Sequence, residues 1–125
     1  MPFVLAVDCD GTIFNDNDCA VVKKDIVKKL KEFKENGASL ILWTCKEGDL
    51  LEDAIEKCKG IGLEFDSANE NPPCQQKYLK EKKAEGKILA TRKVMADFYL
   101  DDRAFNLDFF LKINVKETCR KFENR

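Results

Sequence analysis

Apolar residues in this chain fall in short unbroken runs that stop at acidic or hydroxyl side chains. Phe3-Val4-Leu5-Ala6-Val7 gives way to Asp8, and Leu40-Ile41-Leu42-Trp43 gives way to Thr44. A less regular run from Met95 to Leu100 ends at Asp101 and Asp102. Runs of this kind suit strands buried on both faces, as in a parallel sheet. Leu63-Glu64-Phe65 is a shorter fourth candidate. Between the first two runs, Val22, Ile26, Leu30 and Phe33 recur at i, i+4, i+8 and i+11, one face of a helix with a lysine-rich outer face. Gly37 stands where such a helix would end. After the second run, Asp49 can cap a helix whose inner face is Leu51, Ala54, Ile55 and Cys58, with Gly60 and Gly62 to stop it. Asn69 to Pro73 reads as a loop and Gln75 to Glu85 as a helix with few apolar anchors. The stretch from Asn106 to Arg125 holds one amphipathic helix at most, around Val115 to Phe122. Alternating strands and helices predict right-handed βαβ crossovers. The expected fold is a three-layer, doubly wound α/β domain with a mostly parallel sheet, spanning residues 1–125 as one unit.

Composition narrows the chemistry. The 125 residues include 35 Leu, Ile, Val and Phe, enough for a compact core. Charged residues make up 36% of the chain yet nearly cancel, to a formal net charge of −1, so no global field points to nucleic acid or a membrane. There is no histidine. That excludes Ser-His-Asp and Cys-His nucleophile systems, HExxH zinc sites and Cys2His2 fingers. Acid–base work then falls to carboxylates, lysines, tyrosines or thiols. The glycines form neither GxGxxG nor GxxxxGK[ST]. The six cysteines include no CxxC pair. The N-terminal run has no basic segment before it, and no apolar stretch approaches the ~20 residues that span a bilayer. The expectation is a cytoplasmic protein with reduced thiols.

The strand ends carry the candidate chemistry, because open parallel sheets bind ligands at the carboxyl ends of their strands. Asp8 and Asp10 project to the same side of an extended chain, ~6–7 Å apart. Gly11 permits a sharp turn whose amides can point at an anion. An Asp101 on the neighbouring strand would stand within a few ångströms of Asp8. Two such charges 4 Å apart repel by ~4 kcal/mol at an effective dielectric of 20, so the cluster calls for a hard cation, and oxygen-only ligands suit Mg²⁺. A phosphoryl group fits such a site, since its transfer depends mainly on positioning and charge neutralisation.

Asp8-Cys9-Asp10-Gly11-Thr12 after a hydrophobic strand resembles the DxDGT motif of the haloacid dehalogenase (HAD) superfamily. Leu40-Ile41-Leu42-Trp43-Thr44 resembles its second motif, and Tyr99-Leu100-Asp101-Asp102 its acidic fourth motif. Lys93, eight residues before Asp101, is the choice for the third-motif lysine, although Lys77 and Lys87 also precede the acidic motif. The motifs stand in family order over residues 3–102. The resemblance implies a HAD-like Rossmannoid fold and a Mg²⁺-dependent phosphatase. Asp8 would be the nucleophile that forms an aspartyl-phosphate, and Asp10 the general acid and then base. Thr44 and Lys93 would bind the phosphoryl group. Mg²⁺ would be held by Asp8, the Asp10 carbonyl and Asp101, with Asp102 acting through water. The 36 residues from Asp8 to Thr44 leave no room for a cap domain, so the chain is similar to small capless members. The implied substrate is a phosphorylated small molecule or a phosphorylated polymer end.

Two other readings compete. A receiver-like phosphoacceptor shares the acidic pair, the hydroxyl and the lysine, but carries its acceptor Asp on a middle strand, where this chain has Thr44. A Mg²⁺- and phosphate-binding interaction module without turnover would keep the same residues. Residues Lys77–Lys93 carry seven positive and two negative side chains, which could steer an anion such as a nucleic-acid end but read first as a solvated helix. Cys9 reads as a small buried hydrophobe between two functional residues.

Overall fold

A computed structural model describes residues 2–18, 20–87, 93–104 and 107–123. Cys19, Arg92 in the basic segment, and Asn106 and Arg125 at the limits of the last stretch lie outside the described residues. The elements run β1 (Val4–Val7), α1 (Lys24–Glu35), β2 (Ser39–Leu42), α2 (Gly48–Gly60), β3 (Ser67–Ala68), α3 (Pro73–Ala84), β4 (Phe98–Leu100), α4 (Leu107–Lys112) and α5 (Val115–Phe122). The strands form one sheet in the order β3-β2-β1-β4, and every pairing is parallel. The chain is therefore α/β, with helices flanking a parallel sheet, consistent with a Rossmann-like three-layer fold. Among the described residues no helix is long and apolar enough to cross a membrane.

The continuous apolar runs become the two central strands, and every residue of β1 and β2 is buried. Their side chains divide by the strand period of two. Leu5, Val7 and Cys9 face the main core, where Leu40, Leu42, Phe33, Leu30 and Cys58 also lie. Val4, Ala6 and Ile41 face a smaller cluster with Val94. Phe3 anchors the larger core by stacking on Phe33 at 5.4 Å and meeting Phe98 and Phe122 edge-on. The predicted face of α1 is realised in Ile26, Leu30 and Phe33, joined by Val27, while Val22 precedes the helix.

Three expectations need correction. Leu63-Glu64-Phe65 is not a strand: Leu63 N–H closes α2 by donating to Cys58 O while Gly62 N–H donates to Lys59 O. Gly62 takes the left-handed conformation this closure requires, at φ +81°, and Leu63 is buried as the apolar contact that follows it. The strand comes later, at Ser67–Ala68, because its register is set by Ile41 and Leu42. Asp49 is not the cap of α2 but lies in its first turn, behind Glu47 at the cap position, while the helix does end at Gly60. The C-terminal stretch contains two helices, not one. The additional α4 is a six-residue helix that buries Phe110, too short for a periodic pattern to register.

Candidate functional site

The sheet order places a topological switch between β1 and β4, since β2 and β3 extend the sheet to one side of β1 and β4 to the other. Ligands bind outside the carboxyl ends of the strands at such a point. Val7 pairs with Leu100, and Asp8 N–H donates to Leu100 O at 2.9 Å, which brings Asp8 beside Asp101. Carboxylate oxygens of Asp8, Asp101 and Asp102 lie within 4.8 Å of one another.

The turn after β1 is built to hold this cluster. Gly11 has φ +83°, and a Cβ there would fall 2.3 Å from Asp102 Oδ2. Only glycine fits, because both the backbone conformation and the space exclude a side chain. Thr12, fully buried, joins the two acidic loops. Its hydroxyl accepts Asp102 N–H at 2.9 Å and faces Asp8 Oδ2 at 3.2 Å and Asp102 Oδ1 at 3.4 Å as a donor. Lys23 supports the same turn from outside by donating to Gly11 O at 2.5 Å.

These surroundings push the Asp8 carboxyl up from the usual carboxylate range to about 7. Burial is the main cause, followed by the Asp101 charge and the hydrogen bond with Asp102, while Cys9 N–H and the Thr12 hydroxyl act in the opposite direction. The group is thus an oxygen-rich, crowded anionic site, and its donor set fits a hard divalent cation.

Asp10 lies outside the three-carboxylate group. Its side chain turns to the loop after β2, where Lys46 Nζ lies 3.3 Å from each of its oxygens. Thr44 lies two residues beyond the end of β2, and its N–H donates to Asn69 Oδ1 at 2.8 Å. Its hydroxyl oxygen accepts Lys46 N–H at 3.2 Å, which leaves the hydroxyl proton to be donated elsewhere. Lys93 Nζ lies over the Tyr99 ring, 5.1 Å from the centroid, and Tyr99 stands two residues before Asp101 on β4. The Tyr99 hydroxyl donates to Val94 O at 2.6 Å and so fixes the segment that carries Lys93 to the strand. Sequence reasoning missed Thr12 and Asn69 as parts of the site, and read Lys46, two residues after Thr44, equally as lining the site mouth or as part of a plain loop. Thr12 could have been found from its place in the DxDGT motif. Lys46 and Asn69 acquire meaning only when two loops meet.

No family model and no curated protein matches the chain. A solved structure does: that of a conserved protein from Bacteroides thetaiotaomicron, 31% identical, with a TM-score of 0.70 over 94% of this chain and 93% of that chain. The chain belongs to the family of that conserved protein.

In this family member Cys9, between the two aspartates, is buried as expected, but it is not isolated. Its thiol is hydrogen-bonded to that of Cys58 on α2, which draws the Cys9 pKa below the usual thiol value and raises that of Cys58. Cys9, Cys45, Cys58, Cys74 and Cys119 are free thiols. A groove of about 720 Å³ runs along the outer side of α1 between Val22 and Ile61, and none of the predicted site residues lines it.

Proposed function

We propose that this chain is a capless HAD-type phosphatase, a Mg²⁺-dependent hydrolase of phosphomonoesters that works through an aspartyl-phosphate on Asp8. The observation that carries the reading is the meeting of Asp8, Asp101 and Asp102 at the β1–β4 switch point, around a turn that admits only glycine. Structural acids do not need to converge in this way, and their mutual repulsion is a cost unless a cation offsets it.

Asp8 attacks phosphorus through a carboxylate oxygen, and the bond from phosphorus to the leaving oxygen breaks as Asp10 gives that oxygen a proton. Asp10 then takes a proton from water, the water oxygen bonds to phosphorus, and the phosphorus–Asp8 bond breaks to release inorganic phosphate. Thr44 donates its hydroxyl proton to a phosphoryl oxygen, and Lys93 supplies positive charge to the same group. Asp8, Asp101 and Asp102, with the Asp10 carbonyl, are the residues that would hold Mg²⁺. When bound, that ion supplies charge neutralisation for the carboxylates and the phosphoryl oxygens.

The test is phosphate release from a panel of nucleotides, sugar phosphates and a 3′-phosphorylated oligonucleotide. Each is assayed with Mg²⁺, with chelator, and with Asp8→Asn. Mg²⁺-dependent release that disappears in Asp8→Asn is the expected result. Release that persists in Asp8→Asn would remove Asp8 as nucleophile. No release from any substrate would leave the chain as a phosphoacceptor or binding module.

A further inference from the structure

The loop after β2 holds a lysine in place with more hydrogen bonds than a surface turn needs. One side-chain amide, that of Asn69, spans a three-residue turn: Oδ1 accepts Thr44 N–H at 2.8 Å and Nδ2 donates to Lys46 O at 3.1 Å. Inside the turn, Lys46 N–H donates to the Thr44 hydroxyl oxygen. Asn69 does this from φ +55°, as the only non-glycine residue of positive φ among the described residues. Asparagine is one of the few side chains that tolerate this region, and a backbone held there usually serves the geometry around it. The clamp fixes both ends of the Lys46 peptide, so the long side chain starts from a defined point.

From there the Lys46 ammonium crosses the gap between the β1 and β2 loops to both oxygens of Asp10. The pair is accessible, with the Lys46 side chain 28% and that of Asp10 45% exposed. An ion pair so open to solvent is weak and exchanges readily. A phosphoryl dianion that approaches Asp8 enters a region with four carboxylates, Asp8, Asp10, Asp101 and Asp102. It carries more charge and more acceptor oxygens than Asp10 and so competes well for a flexible ammonium with three donors.

We propose that Lys46 is a phosphate-binding residue of this site, resting on Asp10 while the site is empty and passing to the phosphoryl group as it enters, and that Asn69 is its positioning residue. The proposal rests on the reading that the Asp8 site takes a phosphoryl group. The exchange also frees the Asp10 side chain to face the leaving oxygen at the moment the substrate is seated. It makes no covalent bond and moves one ammonium between two anions on the same edge of the sheet.

The experiment compares wild type, Lys46→Met, Lys46→Arg, Asn69→Gly and Asp8→Asn, with Mg²⁺ present. It measures p-nitrophenyl phosphate turnover, inorganic phosphate binding by calorimetry, and melting temperature. Lys46→Met should raise KM and weaken inorganic phosphate binding about ten-fold, with a smaller fall in kcat, and Lys46→Arg should recover most of the loss. Asn69→Gly keeps the positive φ and removes only the clamp, and should raise KM about five-fold with little change in melting temperature. If Lys46→Met keeps wild-type KM and phosphate affinity while Asp8→Asn is inactive, the proposal fails and the hydrolase reading stands. If wild type shows no turnover yet binds phosphate, and Lys46→Met binds it more weakly, the proposal stands and the hydrolase reading fails. A wild type that neither turns over nor binds phosphate overturns both.

Discussion

Gly11 and Asp8 define what single residues contribute to this site. A methyl group at Gly11 would overlap the Asp102 carboxylate and would also have to hold φ +83°. Gly11→Ala must therefore displace either the turn or Asp102. A misplacement of about 1 Å at a reacting centre costs on the order of 100-fold in rate. The expected outcome is a loss of that size in Mg²⁺-dependent phosphate release, with the folded core retained by circular dichroism. For Asp8 the sign follows from linkage. Its folded pKa, about 7, lies above the ordinary unfolded value, so between those two pH values the native state binds more protons than the unfolded chain. Its contribution to stability is complete below the unfolded pKa and is lost as pH rises through 7. In metal-free protein, melting temperature should fall from pH 5 to pH 8, and Asp8→Asn should flatten that slope. A metal-free Asp8→Asn variant with the wild-type slope would show that another group controls it. The meeting of Asp8 with Asp101 and Asp102 was legible in the sequence because each stands at the end of an apolar run. Lys46 was legible only as a residue of either the site mouth or a plain loop, and nothing in the sequence chooses between the two. Its partner Asp10 lies 36 residues away on another strand end.

At the scale of elements, the legible parts are those whose burial follows one clear period. The 3.6-residue face of α1 and the unbroken runs of β1 and β2 stand out because each is packed against the core along its whole length. β3 was misplaced because Leu63 and Phe65 earn their burial from the end of α2 and from the core edge, whereas Ser67 and Ala68 pair through backbone alone. Asp66 just before them reinforces the register by accepting Leu40 N–H at 2.7 Å. The last helix, α5, lies where its amphipathic pattern suggested, and the structure adds an N-cap that the pattern does not show: the Asn114 side chain accepts Glu117 N–H at 2.9 Å. That bond satisfies one of the free amides of the first turn, so Asn114→Ala should cost about 1 kcal/mol in denaturant unfolding. Phe33→Ala should cost more, about 3–5 kcal/mol. It removes a buried ring stacked on both Phe3 and Phe110 and so loosens α1 from β1 and α4 together. An unfolding energy unchanged in Phe33→Ala would mean that the aromatic cluster does not hold the helical layer to the sheet.

For the whole molecule, the topology concentrates an electrostatic cost where the chain crosses from one side of the sheet to the other. β1 and β4 are hydrogen-bonded neighbours, and their ends present Asp8 and Asp101 side by side. The strands are held together by the ladder and by Thr12, and are pushed apart by like charges at the same edge. A native state built this way should be more stable with one of those charges removed, and also more stable with a cation bound. The two effects should not add, because the second acts by cancelling the first. Asp101→Asn tests this with little change to the backbone: the amide keeps an oxygen to accept Arg103 N–H, as Asp101 Oδ1 does at 2.9 Å, and Asp101 O still accepts Ala104 N–H. In metal-free protein near pH 8, Asp101→Asn should raise the melting temperature by on the order of 3 °C, since about 1 kcal/mol moves a domain of this size by several degrees. Mg²⁺ should raise the wild-type melting temperature and raise that of Asp101→Asn much less, because ligand-linked stabilisation depends on the affinity that the substitution removes. If Asp101→Asn instead lowers the metal-free melting temperature while retaining the full Mg²⁺ increment, the three carboxylates are not a strained cation site. The charge repulsion at the switch point would then have no part in organising the fold.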